Sequence, residues 1–118
     1  MMITDKHYDA FLLALDEERF YDAHEVLEEL WFPLRFKECS EVKLLKGFIN
    51  ASVSFELMKK AKVKQSKQVW KNYLKYRQLL FKQHYPKHNM YYKISLHIDK
   101  IYKLNHRKSC IYLYEINT

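Results

Sequence analysis

Apolar residues recur along this chain at the three- and four-residue intervals of amphipathic helices. Thr4 or Asp5 is placed to cap a first helix whose apolar side is Ala10, Phe11, Ala14 and Leu15. The charged run Asp16–Arg19 separates it from a second helix. From Tyr21 onward, Ala23, Val26, Leu27, Leu30 and Leu34 gather on one face at about 100° per residue, and Pro33 ends the pattern. Ser40 is positioned to cap a central helix from Glu41 to about Lys60. Its two apolar stripes, Leu44–Phe48–Ala51–Phe55–Met58 and Val42–Leu45–Ile49–Val53–Leu57, predict a helix surrounded by others. Gly47 costs this helix about 1 kcal/mol relative to Ala, so a neighbouring backbone is expected to approach it closely. A polar joint over 61–66, with Ser66 as cap, leads to a helix over 67–84 with Val69, Trp70, Tyr73, Leu74, Arg77, Leu80 and Phe81 inward. A last helix over 89–104 turns Met90, Tyr91, Ile94, Ile98, Ile101 and Tyr102 inward. The tail Ser109–Ile116 is β-branched and aromatic, and is expected to be an extended arm or to pair with a second copy. The expected fold is an all-α, single-domain bundle of about five helices over 1–108, with a C-terminal arm over 109–118.

Composition supports this outline. At 118 residues and 48% hydrophobic the chain can bury a core, and one Gly and two Pro are too few for a hairpin-rich β fold. Cys39 and Cys110, the only cysteines, are expected as thiols rather than a disulfide framework. The N-terminus lacks a basic region followed by an apolar run, and no stretch approaches the roughly 20 apolar residues of a membrane span, so a cytoplasmic protein without membrane association is expected. The net charge of +7 is uneven: residues 1–57 carry 6 Lys/Arg against 12 Asp/Glu, and residues 58–118 carry 15 against 2. The acidic half docking on the basic half, a basic face for nucleic acid or an acidic partner, and a compositional bias without function all fit this split.

Polar chemistry concentrates on the second helix, in FYDAHEVLEELW. His24, Glu28 and Trp31 are spaced i, i+4, i+7 on one flank of the apolar face; Asp22, Glu25 and Glu29 take the other. His24 and Glu28 are within reach of each other. The pattern is HExxE, not the HExxH of a zinc protease helix, which places two imidazoles on one ion. His24 and Glu28 are therefore only candidate metal ligands, whose partners would have to come from Glu56, Asn50 or His7. A hydrogen-bonded structural pair is favoured, and no resident cofactor is expected; a divalent ion is the lesser alternative. Acid–base work by His24 is chemically open, but Ser52, Ser54, Cys39 and Cys110 sit in no nucleophile motif. His84 and His88 straddle Pro86 and are expected on a surface loop. Lys59, Lys60, Lys62, Lys64, Lys67, Lys71 and Lys75 with Trp70, Tyr73 and Tyr76 could read RNA, but the helical spacing of the aromatics sends them into the core and the lysines to water.

The segments HEVLEELW and LLKGFINASVSFEL, carrying Tyr21, Ala23, His24, Glu25, Leu27, Glu28 and Trp31 and then Lys46, Gly47, Phe48, Ile49 and Asn50, resemble an uncharacterised helical family, domain-of-unknown-function family 309. The resemblance runs from about Phe20 to Phe81. It departs where the family often has Gly before the Tyr (here Glu18 and Arg19) and Gln in place of Asn50. It implies a compact helical bundle and no reaction. The expected function is a non-enzymatic binding or interaction module, with His24, Glu25, Glu28, Trp31, Asn50 and Glu56 as candidate ligand-binding residues. The alternatives are a small metal- or ligand-dependent hydrolase-like enzyme using His24, Glu25 and Glu28, and a basic nucleic-acid-binding protein. A homo-oligomer is compatible with the sequence.

Overall fold

The computed structural model describes residues 4–117, with side chains through Asn105. Thr4 accepts the His7 backbone N–H at 3.2 Å and caps α1 (Asp5–Asp16). The turn to α2 (Phe20–Trp31) closes without glycine: Glu18 adopts φ 58, the left-handed conformation that ends many helices. Pro33 has no N–H to continue the helix, and a 3₁₀ turn (Phe32–Leu34) comes next. α3 (Ser40–Lys59) is the central element, and Ala61 at φ 61 turns the chain into α4 (Val63–Arg77). A single turn, α5 (Leu79–Lys82), precedes α6 (His88–Asn117). The described residues contain no strand, and the five helices longer than one turn form the expected all-α bundle.

α3 packs most extensively against α4, then α2, with further contact to α6. Ten of its residues are buried, from Val42 to Phe55: seven come from its two apolar stripes, and Gly47, Ser52 and Ser54 are buried beside them. Phe11, Ala23, Leu27, Phe48, Tyr73, Ile94 and Ile98 close the core from all five helices. The Gly47 expectation holds. A Cβ there would stand 2.8 Å from the Cβ of Tyr76, so α3 and α4 approach closer than any other residue at 47 allows.

Several boundaries and orientations differ from the expectations. Ser40 opens α3 rather than capping it, because its hydroxyl is committed across the bundle: it donates to Gln83 Oε1 at 2.7 Å and accepts from Tyr85 at 3.0 Å. Ser66 lies inside α4, not at its cap. Ser54 and Ser66, both buried, donate to each other's backbone carbonyls at 2.8 and 2.7 Å, a reciprocal tie between α3 and α4. Phe81 is exposed, because the helix expected over 67–84 breaks at Gln78 and the break rotates the turn beyond it. The tail expected as an extended arm continues α6 as helix to Asn117; adding residues to a formed helix avoids the nucleation cost, and β propensity is a weak prior. Cys110 and the rest of the tail's side chains lie outside the described residues. Cys39 is a free thiol.

Candidate functional site

α2 carries its polar residues on the side away from α3. Ala23 and Leu27 are fully buried, and His24 and Glu28, each one position on, fall at the margin of the core. The His24 Nε2 meets Glu28 Oε2 across one helical turn, with the imidazole able to donate and the carboxylate to accept. Glu25 Oε1 lies 3.7 Å from Nδ1, outside hydrogen-bond range. The opposite-flank placement of Glu25 is thus corrected: its flexible side chain reaches back to the imidazole. The side chains are 21%, 37% and 55% exposed for His24, Glu28 and Glu25, so the imidazole is the sheltered member. One ligand atom from each of the three lies within 4.8 Å of the others, and among the described residues they form the one such His/Cys/Asp/Glu group.

The remaining candidates do not join this group. The ring that meets His24 is that of Tyr21, 5.9 Å away, because helical side chains lean toward the N-terminus. Trp31 instead receives the Lys46 ammonium over its face at 4.2 Å, a cation–π contact between α2 and α3. Asn50 donates to the Lys46 carbonyl of its own helix at 3.0 Å, and Glu56 pairs with Lys60 at 3.4 Å. His7 Nδ1 is bonded to Thr4 at 2.6 Å. The six candidates therefore divide into a His24–Glu25–Glu28 cluster and three residues with other partners.

Beside the cluster runs a shallow groove, lined by Glu25, Val26, Glu28, Glu29 and Phe32 and open to solvent. Phe32 and Phe36, at the hydrophobic exit from α2, are 53% and 86% exposed. The Arg35 guanidinium lies 3.7 Å from the Phe32 ring and 4.5 Å from that of Phe36. The signal for this feature was an Arg three residues after one Phe and directly before another, where Pro33 had already ended the core-facing pattern.

A second polar cluster was also missed. Tyr73, Ser95, Arg77 and Asp99 join α4 to α6: Arg77 Nη1 donates to both Asp99 oxygens at 3.0 and 2.9 Å, and Tyr73 donates to Asp99 at 3.1 Å, with Ser95 Oγ 2.8 Å from the phenol. Burial, which penalises the phenolate, pushes the Tyr73 hydroxyl well above its ordinary value of 10, opposed by the Ser95 hydrogen bond. The available signal was a charged residue, Arg77, on an apolar face, with Asp99 one of two acids in the basic half. His84 and His88 flank the loop through Pro86, as expected, and that loop stacks their rings at 4.6 Å.

Among families of known sequence, the one described as Domain of unknown function (DUF309) matches residues 8–75, more than half of the chain. The match begins in α1, one helix before the resemblance seen in the sequence, and takes in the His24–Glu25–Glu28 cluster and Gly47. No curated protein and no solved structure matches.

Proposed function

Starting from a chain that belongs to the DUF309 family, we propose that it is a non-enzymatic binding module, and that the outer edge of α2 with the adjoining 3₁₀ turn docks a basic amphipathic segment of another protein. The observation that carries this reading is the surface itself: three glutamates, Glu25, Glu28 and Glu29, border apolar surface from Val26 and Phe32 around a depression open to solvent. A helix that presents apolar residues on one face and lysines at its margins matches that surface in shape and charge. Glu28, paired with His24, stands at the rim, and exposed Phe36 adds apolar surface at the exit from α2.

The test is a titration with a fluorescent 14-residue amphipathic helical peptide of leucine and lysine. Saturable binding is expected, weakened about tenfold or more by Phe32→Ala and by Glu25→Gln with Glu29→Gln, a loss of about 1.4 kcal/mol. Equal binding by these variants and the parent would dismiss the groove. A second reading, a divalent cation held by His24, Glu25 and Glu28, is supported by their clustered ligand atoms. Untagged protein that retains stoichiometric zinc after gel filtration, and loses it in His24→Ala, would favour a metal centre over a docking rim.

A further inference from the structure

α4 presents to solvent a ridge of cations that no carboxylate of the described residues answers. Lys64, Lys67, Lys71 and Lys75 succeed one another at three- and four-residue intervals, all exposed, with exposed Gln68 and Gln78 on the same face. No Asp or Glu occurs between Glu56 and Asp99. Elsewhere in this half cations do find carboxylates: Lys60 pairs with Glu56, Arg77 with Asp99 and Lys87 with Asp5. Among the described residues none of the four ridge lysines has an ion-pair partner, and Lys75 alone makes another contact, over the Tyr76 ring at 5.3 Å.

From this ridge we infer a second binding surface, separate from the α2 groove, whose partner is the phosphate backbone of a nucleic-acid duplex. Lys64 to Lys75 spans about 16 Å along the helix axis, long enough to face several phosphates of one strand. Protein partners are held by interfaces with an apolar centre, and this ridge has lysine and glutamine where that centre would be. Phosphate rails need only charge and hydrogen-bond donors, which is what the ridge offers. The aromatics of α4 decide between duplex and single strand. Trp70 and Tyr73 are buried, with Trp70 stacked on Tyr102 at 4.2 Å, and Tyr76 is half-buried, its β-carbon against Gly47 and Lys75 over its ring, so none presents an open face to a splayed base. Binding through such a ridge is independent of base sequence.

The experiment is fluorescence anisotropy of the full chain with a 20-base-pair DNA duplex, its RNA counterpart, the single strand and polyglutamate, across 50 to 200 mM salt. Four phosphate contacts predict a log–log salt slope of about −3.6 on duplex DNA, hence about 150-fold weaker binding over that range. Lys67→Gln with Lys71→Gln should shallow the slope by about two, whereas Lys60→Gln with Lys87→Gln, which alters paired lysines, should leave it nearly unchanged. The RNA duplex arm tells which kind of double helix is preferred. The proposal is overturned if neither duplex binds at 50 mM salt, or if the ridge variants bind as the parent does. It is equally overturned if the single strand or polyglutamate binds more tightly than both duplexes, or if the ridge variants abolish a self-association that accounts for the basic surface. Lys60, Lys67 and Lys71 are exposed and Lys87 is half-buried, and an unchanged circular dichroism melt confirms that each variant is folded.

Discussion

Tyr73 shows how one hydroxyl ties a helix pair and gives it a pH response. Its proton goes to Asp99, which accepts from Arg77 as well, so three side chains from two helices depend on the phenol staying neutral. Because burial raises its proton affinity above the ordinary value of 10, the folded chain holds this proton after the unfolded chain has released it. The contribution is complete below pH 10 and declines as pH rises beyond it, by up to about 1.4 kcal/mol per pH unit. Tyr73→Phe should cost about 1–3 kcal/mol at neutral pH, since Asp99 and Ser95 lose a partner. The same variant should lack this part of the alkaline decline. Urea unfolding of both proteins from pH 8 to 11 measures it, and parallel curves would mean that the phenol is not held neutral by the fold. His24 and Glu28 are a different kind of pair. They share a helix and both keep contact with water, so their contact is worth a few tenths of a kcal/mol to the helix, and the pair stands at the margin of the core, as the spacing predicts.

At the scale of elements, α3 and α4 are set by what they lack. Gly47 has no side chain, and the Tyr76 Cβ occupies the space where one would begin. Gly47→Ala gains about 1 kcal/mol of helix propensity and loses about 1–3 kcal/mol to overpacking. The expected net result is a loss of about 1 kcal/mol, read from thermal or urea unfolding. Tyr76→Ala should not rescue it, because the atom in the way is the β-carbon that alanine retains. A Gly47→Ala protein more stable than the parent would show that the helices have room to spare. Two turns further along, Ser54 and Ser66 hold the same pair of helices by satisfying each other's carbonyls, so small residues set the α3–α4 distance at both points.

At the scale of the whole molecule the core is continuous, and its centre lies on α3. Phe48 is fully buried and faces Tyr91 of α6 at 6.1 Å between ring centroids. Phe48→Ala should cost about 3–5 kcal/mol, a large part of the roughly 5–15 kcal/mol that holds a domain folded. Calorimetry should show a transition many degrees lower and still cooperative; a melt within a few degrees of the parent's would mean the core is divided. The charge split does not work as an internal clasp. Lys60–Glu56, Lys87–Asp5 and His97–Asp16 are the ion pairs that join the two halves among the described residues, and the first spans a single turn of one helix end. No described helix is long and apolar enough to cross a membrane.

Helix number, the central place of α3, the close approach at Gly47 and the His24–Glu28 contact were all legible in the sequence, because each depends on spacing along a single helix. The alternation of apolar and polar residues specifies which face of a helix is buried, and a separation of four residues specifies which side chains meet. The sequence did not reveal that Trp31 is matched with Lys46, that Ser40 and Ser66 act across the bundle rather than as caps, or that Arg77 and Asp99 close a half-buried network around Tyr73. Each of these contacts joins residues far apart in the chain or on different helices, and their distance depends on how the helices pack. Spacing along α4 already sends Trp70 and Tyr73 to the core and the lysines to water; tertiary packing decided that Tyr76 stays half-buried with its β-carbon against Gly47, since a helix in isolation has no neighbour to meet.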